Sequence, residues 1–417
     1  MIDDDLEKAR DSILTTARRI ISLGPICDSC LGRQFAMLAT GFTNAERGRS
    51  LKSVMAMQAS ANEDRAFLEE LAPSFPPARL KLGRKGEDDA PCSVCLGEMA
   101  PANLDLWAER AASALNGWDY RTLLVGTLMS GLLAENEELI VADGGSLHAE
   151  PFKSELNREV GKRLSALVGK SVDLKSPDMV VHLNLEKGEV QLQVSSIFIR
   201  GRYRKLVRGI PQTRWPCREC RGRGCQRCEG TGRMYQESVD ELIRPAVMQA
   251  AGAEDTVFHG AGREDIDARM LGSGRPFIVE AVRPRIRKID LALLEQEICR
   301  QAEGKVEVTG LSWADSAMVE RLKEAAFEKT YSALIRLGGE VAEEKLKSVL
   351  KELEGSIDQR TPTRVSHRRA DKIRVRRVYR AELIEMQGNM ARIEIRGDSG
   401  LYIKELVSGD EIGRAHV

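Results

Sequence analysis

Long apolar runs are missing from this chain of 417 residues. The longest nearly apolar stretch, from Leu123 to Ala134, is far shorter than the roughly 20 residues that a membrane helix needs. The first five residues include three aspartates, whereas a signal peptide begins on a basic segment. With 42% hydrophobic and 30% charged residues, the composition excludes membrane-embedded, fibrous and disordered proteins. We therefore expect a folded protein of the cytoplasm.

Glycine-rich nucleotide-binding motifs are also missing. No G-x-G-x-x-G follows a predicted strand, and there is neither a G-x-x-x-x-G-K-[ST] loop nor an S-G-G-x-D-S-type adenylation loop. The sequence accordingly predicts no site for ATP, a dinucleotide or S-adenosylmethionine, and no organic cofactor. No feature indicates an obligate protein partner.

The chain has no net charge, because 63 basic side chains balance 63 acidic ones. Taken alone, this balance argues against a nucleic-acid partner. However, residues 1–190 hold 22 basic and 29 acidic residues, a net of −7, and residues 191–417 hold 41 and 34, a net of +7. Basic residues concentrate in 200–233, with eleven Lys and Arg, and in 360–380, with nine. Solvated surface strands and loops explain either stretch alone, but two such stretches favour a face that binds a polyanion.

Eight of the nine cysteines form four C-x-x-C pairs. Thiols stay reduced in the cytoplasm, so such pairs indicate tetrahedral zinc sites rather than disulfides. Two pairs make one closed site without room for a catalytic water, which gives the metal a structural role. The first predicted site comprises Cys27, Cys30, Cys92 and Cys95.

The second predicted site comprises Cys217, Cys220, Cys225 and Cys228, which lie much closer together in a segment rich in glycine and arginine. Zinc is predicted here on weaker grounds, because half of a C-x-x-C-x-G-x-G repeat also resembles the zinc-binding region of DnaJ-type chaperones. The remaining cysteine, Cys299, lies in a helical pattern and is expected to be a small core residue.

The remaining sequence predicts an α+β protein with a largely antiparallel sheet. A helix over 4–22 is followed by a zinc-stapled helical segment with a long loop at 71–86. Further helices are predicted at 104–115, 151–168, 239–250, 291–301, 314–325 and 342–353. Strands are predicted at 121–127, 256–260, 277–282, 305–311 and 329–336, with hairpins at 178–199 and 373–396.

The segment 258–272, which joins two predicted strands, combines arginines, carboxylates and glycines in a short turn. A structural turn needs glycine and at most one aspartate. In contrast, an aspartate kept ionised by a neighbouring arginine suits a nucleophile or a base. Composition alone leaves both explanations open.

Two stretches of sequence resemble known RNA-modifying modules. Residues 176–185 and 190–205 resemble a THUMP domain, a module that binds tRNA. Gly262-Arg263-Glu264-Asp265 matches the G-R-x-D signature of pseudouridine synthases, and the text up to Phe277 resembles the archaeal Pus-ten family. Three more stretches agree with that family: Lys329-Thr330-Tyr331-Ser332-Ala333, residues 400–410, and Cys27-x-x-Cys30-Leu31-Gly32-Arg33-x-Phe35.

The resemblance spans nearly the whole chain and implies its organisation. A zinc-binding helical segment would cover 1–120 and a THUMP-like RNA-binding segment 121–210. A pseudouridine synthase domain would cover 211–417, with the second cysteine set as an insertion at 217–228. The family's sequence continues beyond the point where this chain stops at Val417, so we expect a terminal piece to be missing.

The resemblance also implies an activity, the isomerisation of uridine to pseudouridine at positions 54 and 55 in the T arm of tRNA. Asp265 matches the essential carboxylate, which attacks the ribose C1′ or removes a proton from C2′. Tyr331 would stack on the target base and act as a general base, Tyr402 would line the pocket, and Lys404 would pair with Asp265. Arg263 would hold the nucleotide flipped out of its stack. Asp267 competes with Asp265, since alternation along an extended strand would place both on one side.

A second hypothesis comes from another functional class. A non-catalytic, zinc-dependent tRNA-binding or chaperone-like protein would account for the cysteine pairs and the basic stretches. It leaves the combination of Arg263, Asp265, Tyr331 and Lys404 unexplained.

Overall fold

The chain forms two compact units, residues 1–316 and residues 317–417, in a computed structural model. The structure describes residues 13–86, 89–129, 131–144, 147–325, 327–363 and 370–409. The expectation about the chain end at 413–417 and the first nine residues of the predicted helix 4–22 lie outside these ranges.

The described part of the first unit begins with six helices around the first cysteine set: α1 (Ile13–Ser22), α2 (Asp28–Arg33), α3 (Asn44–Ala61), α4 (Arg65–Leu71), α5 (Pro76–Lys81) and α6 (Pro101–Ala114). A capping box between Thr43 and Glu46 starts α3. α2 and α3 cross so closely that a Cβ on Gly32 would lie 1.8 Å from the Asn44 carbonyl oxygen. Only glycine fits at this crossing.

The long loop predicted at 71–86 is wrong in part. A 3-10 turn at Ala72–Ser74 and helix α5 occupy it. Prolines fill the first turn of α5, where a helix does not use the missing N–H groups, so these prolines start a helix instead of preventing one.

A four-stranded sheet with the order β2-β1-β3-β4 follows the helices. Its strands are β1 (Thr122–Leu128), β2 (Ser171–Val172), β3 (Met179–Asn184) and β4 (Glu189–Val194). β1 pairs in parallel with β2 and β3, and β3 pairs antiparallel with β4. Helices α7 (Leu132–Gly144) and α8 (Phe152–Val168) lie between β1 and β2 in the chain, and α8 packs Leu156, Val160 and Leu164 into the same core as β1.

A second sheet of the first unit has the order β6-β7-β5-β8 and is entirely antiparallel. It comprises β5 (Ile197–Lys205), β6 (Asp255–Gly260), β7 (Met270–Val282) and β8 (Val306–Ala314). Helices α9 (Val239–Ala251) and α10 (Leu291–Gln301) cover its core. We assigned residues 197–205 to the THUMP-like segment. In the structure they form β5, a central strand of the second sheet, because they pair with β7 on one side and with β8 on the other.

The second unit contains a third antiparallel sheet, with the order β10-β11-β12-β9. Its strands are β9 (Lys329–Arg336), β10 (Gly355–Arg360), β11 (Ile373–Gln387) and β12 (Met390–Gly397). Helix α11 (Ser316–Glu324) begins at the boundary between the units, and α12 (Glu343–Glu352) and α13 (Ile403–Ser408) complete the second unit. The predicted α+β class with largely antiparallel sheets is confirmed.

Candidate active site and cysteine clusters

The G-R-E-D sequence lies on a loop, residues 261–269, that joins the antiparallel strands β6 and β7. Gly262 has a φ of +74°, a value that L side chains rarely adopt, so glycine is needed where the chain leaves β6. The Asp265 carbonyl accepts a hydrogen bond of 3.1 Å from the Ala268 N–H, which closes a turn. The loop therefore presents the signature at the end of a rigid hairpin.

Arg263 and Asp265 are exposed on this loop, whereas the side chain of Glu264 between them is 5% exposed. Asp267 is also exposed, but it lies in the turn that follows Asp265 rather than on an extended strand. The alternation that we expected to align Asp267 with Asp265 is therefore wrong, because the Asp265–Ala268 turn interrupts it.

Three buried side chains donate hydrogen bonds to the backbone of this loop. Arg275 Nη1 donates to the Ala261 carbonyl at 2.7 Å, and Gln212 Nε2 donates to the Gly262 carbonyl at 2.9 Å. Lys205 Nζ donates to the Asp265 carbonyl at 3.2 Å. Every loop carbonyl that faces these side chains is thereby paired, which keeps the Asp265 peptide in one place.

Arg263 extends towards the second cysteine set. Its guanidinium carbon lies 5.0 Å from the centre of the Trp215 ring, which contacts Tyr235 edge-on at 5.6 Å. A cation held over an indole in this way has a preferred position.

The other predicted site residues lie in the second unit. Tyr331 is half-buried on β9, where it pairs with Ile395 of β12. Tyr402 is 9% exposed and precedes helix α13, which carries the exposed Lys404. Since β12 ends at Gly397 beside Lys329, Tyr331 and the segment leading to Tyr402 lie at the same end of the third sheet. Arg263 and Asp265 belong to the first unit.

The first cysteine set, Cys27, Cys30, Cys92 and Cys95, brings four sulfur atoms within 4.8 Å of one another. Cys27 Sγ and Cys95 Sγ are 3.8 Å apart, which is the edge of a tetrahedron with metal–sulfur distances of about 2.3 Å. Hydrogen bonds from Cys27 and Cys30 hold the pKa of Cys92 and Cys95 below the usual value. Thiolates are the metal-binding form, so this set could hold a tetrahedral ion.

The second set, Cys217, Cys220, Cys225 and Cys228, meets the same test. The Cys217–Cys225 and Cys220–Cys228 sulfur pairs are each 3.8 Å apart. Burial raises the pKa of Cys228, but the N–H groups of Cys225 and Gly232 outweigh it and lower that pKa to about 6. This segment could hold a second ion.

Family models and curated relatives match the sequence of this chain. The model for the C-terminal part of Pus10 covers residues 198–416, and the model for the archaeal Pus10 THUMP domain covers 107–184. A tRNA pseudouridine synthase Pus10 from Methanothrix thermoacetophila is 62% identical over 401 residues, 95% of this chain and 88% of the relative. The chain belongs to the Pus10 family. Pus10 proteins of the same name from Halorubrum lacusprofundi and Methanopyrus kandleri are 42% and 44% identical over 96% and 92% of the chain, and 90% and 89% of theirs.

The Pus10 relationship confirms the family that the sequence predicted, including its THUMP domain. The boundaries predicted at 120 and 210 remain predictions. A chain of a solved Cbf5-Nop10-Gar1 complex is 22% identical over 40% of this chain and 38% of its own, with a TM-score of 0.26, a likeness from which nothing follows. Within the described residues, no helix is long and apolar enough to cross a membrane.

Sequence reasoning missed the side chains that support the Pus10 signature loop. Tyr203 and Lys205 are fully buried on β5. Both occupy inward positions of an alternating strand whose other inward residues are Ile197, Ile199 and Gly201. The sequence did offer one signal, because Lys205 follows the same alternation as the aliphatic residues of this strand and is therefore expected on the buried face. A buried cation requires polar partners.

Proposed function

We propose that this chain is an RNA-modifying isomerase that converts uridine to pseudouridine at positions 54 and 55 in the T arm of tRNA. The main support is a family relationship that covers the chain from the first cysteine set to the last strand. In the first unit, Asp265 is an exposed carboxylate of the G-R-E-D loop, and the buried Lys205 donates a hydrogen bond to its carbonyl. Exposure of the carboxylate on a held backbone supports its proposed access to a ribose.

Asp265 starts the reaction by attacking C1′ or by removing a proton from C2′. The bond between C1′ and N1 of uracil breaks, the base rotates, and a bond forms between C1′ and C5. In the first route the ester bond between Asp265 and C1′ breaks at this step, and in the second route the Asp265 carboxyl returns the proton to C2′. The C5 proton leaves and N1 gains one, so the product is an isomer of the substrate. No oxidant or group donor is needed, in agreement with the missing nucleotide motifs.

The family pattern assigns further roles. Tyr331 stacks on the target base and removes the C5 proton, Tyr402 lines the pocket, and Lys404 keeps the carboxylate charged. Arg263 holds the flipped nucleotide, and enzymes acting on a stacked base require such a group. The cation–π contact with Trp215 supports this role, because it gives the guanidinium of the exposed Arg263 a preferred position.

tRNA is the proposed partner. The THUMP match supports RNA binding by the first unit. The second cysteine set adds exposed cations, since Arg218, Arg221 and Arg227 are all exposed on it. Arginines displayed on a compact knuckle suit phosphate contacts.

We assign structural zinc to both cysteine sets. Four thiol ligands and tetrahedral sulfur spacing match zinc better than the oxygen-binding cations. Zinc would fix the fold of each knuckle, and the reaction uses none of its chemistry.

The decisive experiment treats a tRNA transcript with the wild-type protein and with Asp265→Asn, and maps pseudouridine by mass spectrometry. We expect conversion at 54 and 55 by the wild type, and a loss of at least about 1,000-fold in Asp265→Asn with unchanged tRNA affinity. Asp267→Asn is the matched control and should stay active.

The same measurement separates the alternative function. A non-catalytic zinc-dependent tRNA-binding or chaperone-like protein would bind the transcript and leave every uridine unchanged. Full conversion by Asp265→Asn would instead refute the assigned carboxylate.

A further inference from the structure

A polar network is buried directly beneath the signature loop, and the proposed reaction uses none of its side chains. The carboxylate of Glu264 accepts hydrogen bonds from Tyr203 Oη at 2.9 Å and from Arg275 Nε at 3.0 Å. Lys205 Nζ lies 3.7 Å from the same carboxylate. Two cations and one hydroxyl therefore converge on one acid at the base of the loop.

This network is deeply buried. The side chains of Tyr203 and Lys205 are fully buried, and those of Glu264 and Arg275 are 5% and 6% exposed. Burial and, after it, the charge of Glu264 raise the pKa of Tyr203 well above its usual range. Removing the Glu264 carboxylate leaves the buried cations Lys205 and Arg275 without this acidic partner, which is costly.

The donors that bind Glu264 also bind the loop backbone. Arg275 uses Nε for Glu264 and Nη1 for the Ala261 carbonyl. Lys205 lies beside Glu264 and donates to the Asp265 carbonyl. Gln212 Nε2 donates both to Tyr203 Oη, at 2.8 Å, and to the Gly262 carbonyl. The position of the Glu264 carboxylate thus determines where the donors for three loop carbonyls lie.

Glu264 also separates the two exposed functional residues. The side chain of Glu264 is buried, whereas Arg263 and Asp265 on either side of it in the chain are exposed.

We infer that Glu264 is a positioning residue for the reaction: it fixes Tyr203, Lys205 and Arg275, and through them the peptide that carries Asp265. The inference rests on the proposed role of Asp265 as the essential carboxylate. Glu264 does not reach the substrate, so its contribution is the orientation of Asp265 and not the affinity for tRNA.

The test compares Glu264→Gln and Tyr203→Phe with the wild type in single-turnover reactions on a tRNA transcript. Misplacing a catalytic group by about 1 Å costs on the order of 100-fold in rate. We therefore expect Glu264→Gln to lower the rate constant at saturation about 100-fold and Tyr203→Phe about 10-fold. The tRNA concentration for half-saturation should change less than about 3-fold in both.

Two control variants separate positioning from stability and from net charge. Ile298→Val shortens a fully buried side chain of the same core without touching the loop. Glu254→Gln removes an exposed carboxylate that pairs with Arg283. Both should keep the wild-type rate per folded molecule. If Glu264→Gln does not fold, Tyr203→Phe carries the test, because it retains the ring and every charge.

Asp265→Asn in the same assay distinguishes this inference from the proposed function. Activity in that variant overturns the role of Asp265. If Asp265→Asn is inactive while Glu264→Gln and Tyr203→Phe stay within about 3-fold of the wild-type rate, the positioning role of Glu264 is wrong and the role of Asp265 stands. A rate loss in Glu264→Gln and Tyr203→Phe that is fully explained by the unfolded fraction, with a wild-type rate per folded molecule, also overturns the positioning role.

Discussion

At the scale of single residues, one buried glutamine in each unit holds the backbone at a predicted site residue or its loop. Gln212 binds the Gly262 carbonyl in the first unit. Gln359, which is 3% exposed, binds both sides of the Tyr402 residue in the second unit. Its Oε1 accepts from the Tyr402 N–H at 2.9 Å, and its Nε2 donates to the Tyr402 carbonyl at 3.1 Å. A glutamine amide matches a peptide in this way because it offers one donor and one acceptor side by side.

We predict that Gln359→Leu unfolds more easily and reacts more slowly. The substitution removes the hydrogen bond that the buried Tyr402 N–H donates to Gln359 Oε1, at about 1–3 kcal/mol, whereas the Tyr402 carbonyl keeps the Leu406 N–H as a donor. The melting temperature should fall, and the pseudouridine formation rate of the folded protein should drop about 10-fold. Gln387→Leu, at an exposed position on β11, is the control and should change neither. Equal behaviour of the two variants would exclude a role for Gln359 in placing Tyr402.

The sequence predicts Asp265 as a site residue but not the buried residues that contact its loop. Arg263 and Asp265 belong to a short local signature, so one segment of text suffices to find them. Tyr203 and Gln212 are separated from the loop by about 50 to 60 residues in the chain, and their contacts depend on the register of β5 against β7. Such long-range register cannot be read from one sequence.

At the scale of helices and strands, two short antiparallel segments connect the second cysteine set to the rest of the first unit. Pro216 and Arg233 form an antiparallel bridge, and the Met234 N–H donates to the Trp215 carbonyl at 2.9 Å. Trp215 therefore links the cysteine knuckle to Arg263 of the signature loop. A conformational change in the cysteine knuckle should therefore affect the position of Arg263 on the signature loop.

We predict that Cys217→Ser and Cys220→Ser each remove one of two zinc equivalents per chain. Without the metal, the pairing between the segments around Trp215 and Met234 weakens and Trp215 becomes more exposed. Its fluorescence emission should therefore shift to longer wavelength. Metal analysis and the emission spectrum check this, with Trp215→Phe as the background that should show no shift. Cys299→Ser, outside both sets, should keep two zinc equivalents. An unchanged zinc content in the two knuckle variants would refute a metal at the second set.

The spacing of apolar residues predicted most of the long helices and strands. It failed where other interactions determine the local structure. α10 and β9 lie where their apolar spacing placed them. α3 was missed, because it packs against α2 through Gly48 and Gly32 rather than through a broad apolar stripe. β10 was missed because its sequence is mostly polar and it pairs only along the edge of the third sheet.

At the scale of the whole chain, the zero net charge hides two oppositely charged parts. The excess of acidic residues up to position 190 lies in the region of the six helices and the first sheet, and the excess of basic residues follows it. The described part of the second basic stretch includes exposed positions on β11, while residues 364–369 of it lie outside the described ranges. Net charge alone therefore says little about the partner, whereas local charge predicts a polyanion.

The salt dependence of tRNA binding should report on these local charges. Each phosphate contact contributes about 0.7 to 0.9 to the slope of log affinity against log salt concentration. We predict that the triple variant Arg218→Gln, Arg221→Gln, Arg227→Gln binds tRNA more weakly and lowers this slope by about 2 to 3. Binding titrations at several salt concentrations measure it, on a fully zinc-loaded protein so that folding of the knuckle is not a variable.

A matched control uses cations that already have acidic partners. Arg300 pairs with Glu297 at 2.6 Å on α10, and Lys347 pairs with Glu343 at 2.6 Å on α12. Replacing both by glutamine removes positive charge from the same chain but should leave the slope within about 0.5 of the wild type, because a paired cation releases few counterions on binding. A reduction of slope in proportion to the cations removed, two in the control and three in the triple variant, would show that total charge governs binding. A reduction confined to the triple variant would assign the phosphate contacts to the second cysteine knuckle, beside the loop that carries Asp265.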